Sequence, residues 1–146
     1  MNIYADKPIL EMNNDWKLWD GKTYRLTKTW CCCVESDKYI LDICVRAGFE
    51  TDGGSIPLAF QNIIHPYGIY MLSFLVHDAL YDGELLNRSQ CDWIMLEMLK
   101  HQGMDWFLRN SSYLLVRCFG GAVWAVHDSV SVNKNRDLIT FKYILK

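Results

Sequence analysis

The sequence predicts an α+β fold in which a small antiparallel sheet packs on a bundle of three to four helices. Three observations carry this. Thr23 to Val45 is rich in aromatic and β-branched residues around a turn-like Glu35-Ser36-Asp37-Lys38, the texture of a hairpin. From Leu58 to Val126 apolar residues recur at helical spacing. The closing RDLITFKYILK reads as a strand that returns to the hairpin.

In order along the chain, residues 1–50 are strand-rich, 51–103 hold a loop and helices, and 104–146 hold a further helical region and a possible strand, all within one expected domain spanning 1–146. In the hairpin, Trp30 and Cys32 share one face while Cys31 and Cys33 share the other, because strand side chains alternate. Gly48-Phe49-Glu50-Thr51-Asp52-Gly53-Gly54-Ser55-Ile56-Pro57 then mixes turn formers with acidic and hydroxyl groups and reads as a loop. A short helix follows near Pro57 to Ile64, with a turn at His65 to Gly68 and a buried helix from Ile69 to about Tyr81, ended by Asp82-Gly83. Ser89 is the expected N-cap of the next helix, on which Cys91, Ile94, Met95, Met98 and Leu99 form an apolar stripe, and Gly103 closes it. The last helical region covers Trp106 to Val126, with a bend or break at Gly120-Gly121. DSVSVNKNRD reads as an exposed turn.

The 146 residues are 51% hydrophobic, 14% aromatic and 22% charged, which excludes disorder, and the formal net charge of -2 lacks the basic excess of a nucleic-acid binder. The six Trp are scattered, as core and edge aromatics are, and form no base-stacking platform. MNIYADKPILEMNNDW has neither the basic start nor the apolar core of a secretory signal, so a cytosolic location at synthesis is expected. Gly68 to Val76 and Tyr113 to Val126 are too short to span a bilayer, and Arg117 interrupts the second. Both are expected to be buried helices of a protein that is not transmembrane. Cys31, Cys32 and Cys33 are contiguous, and Cys44, Cys91 and Cys118 stand alone, so all six cysteines are expected to be reduced.

Candidate chemistry gathers at Asp52, His77, Asp78, Tyr81 and Asp92. Ionisable groups inside apolar helical stretches cost free energy unless partnered. Adjacent helical residues diverge by about 100°, so His77 and Asp78 serve different partners. Tyr81 lies on the His77 face. If the two helices pair antiparallel, Asp92 can accept the His77 ring N–H, fix its tautomer and leave the other nitrogen as a general base toward water. Asp78 and the loop around Asp52, Gly53 and Gly54 would offer carboxylate and carbonyl oxygens, a donor set for Ca²⁺ or Mg²⁺.

GFETDGGSIP, VHDALYD and the SQCDWIMLEML helix resemble, in order and spacing over about Arg46 to Gly103, a family of uncharacterised proteins found mainly in bacteriophages and prophages, with Gly54 in place of a more usual alanine. The resemblance implies a phage-encoded accessory or virion-associated protein whose partners are other particle proteins or host envelope lipid. A more distant resemblance is to prokaryotic secreted phospholipases A-two, which share a glycine-containing calcium loop, a histidine-aspartate-x-x-tyrosine helix and a later helical aspartate. It implies a calcium-dependent hydrolase with His77 as base, Asp92 as its orienting partner and Asp78 with Asp52 at the cation; the disulfides that staple those enzymes around the histidine have no counterpart beside His77. The adjacent His77-Asp78 pair also resembles the metal-dependent histidine-aspartate phosphohydrolases, whose further upstream helical histidine would have to be His65, in a Pro-flanked turn. Against these stands a plain alternative, in which His77, Asp78, Tyr81 and Asp92 form a buried network that locks two helices in a non-catalytic tail or neck component. His65, His101 and His127-Asp128 read as structural.

Overall fold

The computed structural model describes residues 1–12, 24–51 and 70–146, and the order of elements is β1 (Asn2–Ala5), β2 (Leu10–Met12), β3 (Tyr24–Leu26), β4 (Trp30–Glu35), β5 (Tyr39–Val45), β6 (Glu50–Thr51), α1 (Met71–Asp82), α2 (Arg88–His101), α3 (Trp106–Ala125), α4 (Ser129–Asp137) and β7 (Ile139–Leu145). The fold is α+β, as the sequence predicts. One antiparallel sheet has the order β1-β4-β5-β7, and the second has the order β2-β3-β6. The closing segment does return to the hairpin: β7 pairs with β5 from Tyr39↔Leu145 to Val45↔Ile139.

The hairpin β4–β5 forms where its turn chemistry places it. The Ser36 hydroxyl accepts from the backbone N–H groups of Lys38 and Tyr39, closing the reversal. Its strands alternate in burial, so Trp30, Cys32 and Val34 with Tyr39, Leu41, Ile43 and Val45 face inward. The hairpin is shorter than its sequence texture suggests, because Tyr24–Leu26 leaves it to pair with β2 and β6 in the second sheet.

The expectation of six reduced cysteines is corrected. Cys31 and Cys44 form a disulfide with Cα atoms 4.0 Å apart, and Cys32, Cys33, Cys91 and Cys118 are free. Neighbours in sequence point to opposite faces and cannot bridge, but the antiparallel register sets Cys31 directly opposite Cys44. Thiol titration of the denatured, non-reduced protein should therefore find four free thiols. Reduction should lower stability by about 3 kcal/mol, given the length of the loop that the bridge closes. Six free thiols would contradict the pairing.

Nine consecutive residues of α1, Ser73 to Tyr81, are buried, so this helix is enclosed on all sides. Leu75, Val76, Ala79 and Leu80 join Cys91, Ile94 and Met98 of α2 and the inner face of the larger sheet in the main core. Phe74, Met95, Leu99, Met104 and Val116 form a second cluster between α1, α2 and α3. The stripe predicted for α2 is fully buried. Its N-cap is Asn87 rather than Ser89: Asn87 makes a capping box with Gln90, and Ser89 lies inside the first turn. Gly103, with φ at +79°, follows the helix end as expected.

Three further expectations are revised. α3 runs unbroken through Gly120-Gly121. DSVSVNKNRD is a helix, because the Asp128 carboxylate accepts from the N–H groups of Val130 and Ser131 and so starts one. The run Tyr113 to Val126 is not a buried helix, since only Ser112 and Val116 of α3 are buried and its outer side is open. Among the described residues no helix is long and apolar enough to cross a membrane.

Candidate functional site: a buried histidine between two carboxylates

Because α1 is enclosed, the adjacent His77 and Asp78 side chains must find partners within the protein. His77 is 3% exposed, and its Nε2 lies 2.9 Å from Asp92 Oδ1 on α2, the contact expected from an antiparallel helix pair. Asp78 Oδ1 stands 3.7 Å from His77 Nδ1, beyond hydrogen-bond reach, and Nδ1 has no hydrogen-bond partner among the described residues. Asp78 Oδ2 instead accepts from the Thr51 hydroxyl at the end of β6. Thr51 is the residue before Asp52, so the start of the motif loop and the His-Asp helix meet. Asp52, Gly53 and Gly54 themselves lie outside the described residues, as do the expected helix near Pro57 and the turn at His65.

Asp92 is fully buried and uses both oxygens. Oδ1 faces His77, while Oδ2 accepts from Arg117 Nη1 of α3 at 2.8 Å and lies 4.0 Å from Arg88 Nη1, one turn before it on α2. Arg88 also donates to the carbonyls of Val116 and Arg117. Tyr81 donates its hydroxyl to the Gly120 carbonyl and packs edge-on against Trp124, with ring centroids 4.7 Å apart. This approach is what Gly120 permits: a Cβ at residue 120 would fall 2.8 Å from the Tyr81 oxygen. Rings of His77, Tyr81, Trp124 and His127 follow one another, and His127 Nδ1 sits 3.2 Å from Glu84 Oε1. A cavity of about 40 Å³, bounded by His77, Tyr81, Val116, Phe119, Gly120 and Val123, has room for a water or two.

The electrostatics follow from the partners. Burial opposes charge on His77, but the carboxylates of Asp78 and Asp92 outweigh it and push the ring up to about 9. Burial likewise disfavours the ionised Asp92, yet its bonds to His77 and Arg117 hold the carboxyl below its usual range. Burial raises the Tyr81 hydroxyl to about 12. His77 is thus an imidazolium at neutral pH. A base raised by folding stabilises the native state fully below its unfolded value near 6.5, and that stability is lost as pH rises through about 9. A loss on the order of 3 kcal/mol over this window is expected in denaturant melts, and it should be absent from His77→Gln.

Sequence reasoning named His77, Asp78, Tyr81 and Asp92, and the structure brings His77, Asp78 and Asp92 into one cluster with Tyr81 stacked beside it. It missed Thr51, Arg88, Arg117 and Trp124. Two signals pointed to the arginines: Arg88 precedes Asp92 by one helical turn, and Arg117 is a charge inside an apolar run. Among the described residues no group of three or more His, Cys, Asp or Glu side chains is placed to hold a metal ion, and Asp78 is the one described residue of the expected cation set. The described part does not by itself make a cation site.

The sequence profile of a family described as "Protein of unknown function (DUF1353)" matches residues 24–116, a span that runs from β3 to the middle of α3 and contains Thr51, His77, Asp78, Tyr81, Arg88 and Asp92. No curated protein and no solved structure matches the chain.

Proposed function

The chain belongs to the DUF1353 family of proteins of unknown function, and on that premise we propose that the His77–Asp92 pair is the acid–base centre of a hydrolase acting on acyl esters, lipid esters of a host envelope among them. One observation carries this reading: Nε2 of His77 is spent on Asp92, while Nδ1 is buried and has no hydrogen-bond partner among the described residues. In its neutral form the ring takes a proton from water as the water oxygen bonds to the acyl carbon. It then returns that proton to the leaving alkoxide as the carbon–oxygen bond breaks, so acid and alcohol are the products. Asp92, itself fixed by Arg117, orients the ring. Calcium or magnesium at Asp78 and the Asp52 to Gly54 loop belongs to the same proposal, and no step runs through it. A phage-encoded accessory or virion-associated role, with synthesis in the host cytoplasm and incorporation into the particle, rests on the sequence motifs alone.

The test is acid release from a panel of acyl esters and from phospholipid vesicles by wild-type protein and His77→Ala, with calcium, with magnesium and with chelator. Release by wild type that the variant loses supports the reading. Equal release by both, or none by either, overturns it. A second reading, a non-catalytic tail or neck component, is favoured by the complete burial of Asp92 and by the reach of its contacts across three helices. It expects no release under any condition.

A further inference from the structure

The outer face of the larger sheet carries three cysteines and a carboxylate side by side. Strand alternation puts Cys31 and Cys33 of β4 on this face with Asp42 and Cys44 of β5, while Cys32 turns into the core. The register sets Cys31 opposite Cys44 and Cys33 opposite Asp42, so the four side chains form one compact square. The Cys33 thiol donates to the Asp42 carboxylate, and Lys142 of β7 stands on the other side of Asp42. An open depression of about 700 Å³ adjoins the square, with Tyr4, Asp6, Cys31, Cys33, Asp42 and Cys44 among its lining residues.

With the bridge closed, two of the three outward sulfurs are bonded to each other, and no group of three or more His, Cys, Asp or Glu among the described residues is placed to hold a metal ion. Reduction changes that donor set. A dithiol that opens the bridge passes two electrons and two protons to the Cys31 and Cys44 sulfurs and itself becomes a disulfide. Three thiols and one carboxylate then share the face. Residues two apart on a strand stand about 7 Å apart, and the diagonal from Cys33 to Cys44 is of similar length. Thiolates bound to one zinc ion stand about 3.8 Å from each other, as tetrahedral bonds of about 2.3 Å require, so side chains that lean toward the centre of the square converge on one ion. Sulfur ligands select a thiophilic dication over calcium or magnesium. The Lys142 ammonium offsets part of the negative charge that three thiolates and Asp42 bring.

We propose that the reduced protein binds Zn²⁺ on this face through Cys31, Cys33 and Cys44, with Asp42 as the fourth ligand, and that the Cys31–Cys44 bridge closes the site. Binding releases the three thiol protons to water. The site is open to metal only under reducing conditions, where such bridges do not persist. It lies on the sheet face turned away from the core shared with α1, and it is independent of the His77 chemistry.

The experiment is a titration of the full chain with Co²⁺, a spectroscopic stand-in for zinc, before and after reduction by a phosphine, which adds no competing thiol. The reduced protein is expected to show a sulfur-to-cobalt charge-transfer band that saturates at a single equivalent and disappears when Zn²⁺ is added. The bridged protein is expected to show none. A cation held by Asp78 and the motif loop has oxygen ligands alone and gives no such band, so the two sites are read apart. Cys33→Ser leaves the bridge intact and is expected to weaken binding by more than about a hundredfold, beyond the loss usual for an outer-shell partner. Asp42→Asn is expected to weaken it by about tenfold or more, and Cys118→Ser to leave it unchanged. Zn²⁺ should also raise the Tm of the reduced protein, because it binds the native state, and should not raise that of reduced Cys33→Ser. No charge-transfer band on reduction, an equal band from the bridged protein, or unchanged binding by Cys33→Ser overturns the proposal. So does a band without a rise in Tm, which is what thiols of an unfolded chain would give.

Discussion

Replacing Asp92 with alanine is expected to lower stability by about 3–5 kcal/mol, the cost typical of removing one partner from a buried charge pair. Two cations lose their shared anion at once. The buried His77 ring keeps Asp78 at 3.7 Å but loses its hydrogen-bonded carboxylate, and Arg117 loses a bond of 2.8 Å at the junction of α2 and α3. For a chain of this size such a loss lowers the Tm by on the order of 10 °C. Asp92→Asn, which keeps the shape and removes the charge, should fall between the variant and wild type. Thermal and denaturant melts read the effect directly. A loss below about 1 kcal/mol, the range of an exposed pair, would show that the carboxylate does not tie the helices together.

His77→Ala is expected to reduce ester release by about 10²- to 10⁴-fold, the usual contribution of a general base. The ring is raised to about 9 by its two carboxylates, so only a small fraction is neutral at pH 7. Release by wild type should therefore rise with pH and level off above about 9, and the variant should lose that dependence as well as the rate. His77→Gln, closer in volume, guards against simple unfolding, and melts establish that each variant is folded before rates are compared. Release by a folded variant at the wild-type rate would remove His77 from the chemistry.

The pairing of His77 with Asp92 was legible in the sequence because both residues interrupt apolar periodicity. Such an interruption inside a buried helix demands a partner, and a short connection between two helices limits where that partner lies. The α+β class was legible for a similar reason, since strand and helix periods differ and the hairpin turn carries its own chemistry at Ser36. What stayed hidden depends on pairing between distant segments. The Cys31–Cys44 disulfide follows from register, which no local pattern states, and the split of Tyr24–Leu26 into a second sheet follows from partners in β2 and β6. The open side of α3 was misread because an apolar run looks alike whether its far side meets protein or an outside surface. Arg117 looked like an interruption of that run, and only the packing of α3 on α2 shows it reaching Asp92.

The most direct test of the His77 site is an NMR titration of the four histidine rings in wild-type protein and in Asp92→Asn. One ring, assigned to His77 by its loss in His77→Gln, should titrate near 9 in wild type and shift downward when the Asp92 charge is removed. A His77 ring that titrates near the ordinary value of about 6.5 in both proteins would contradict a histidine held between two carboxylates, and with it the acid–base centre built on that geometry.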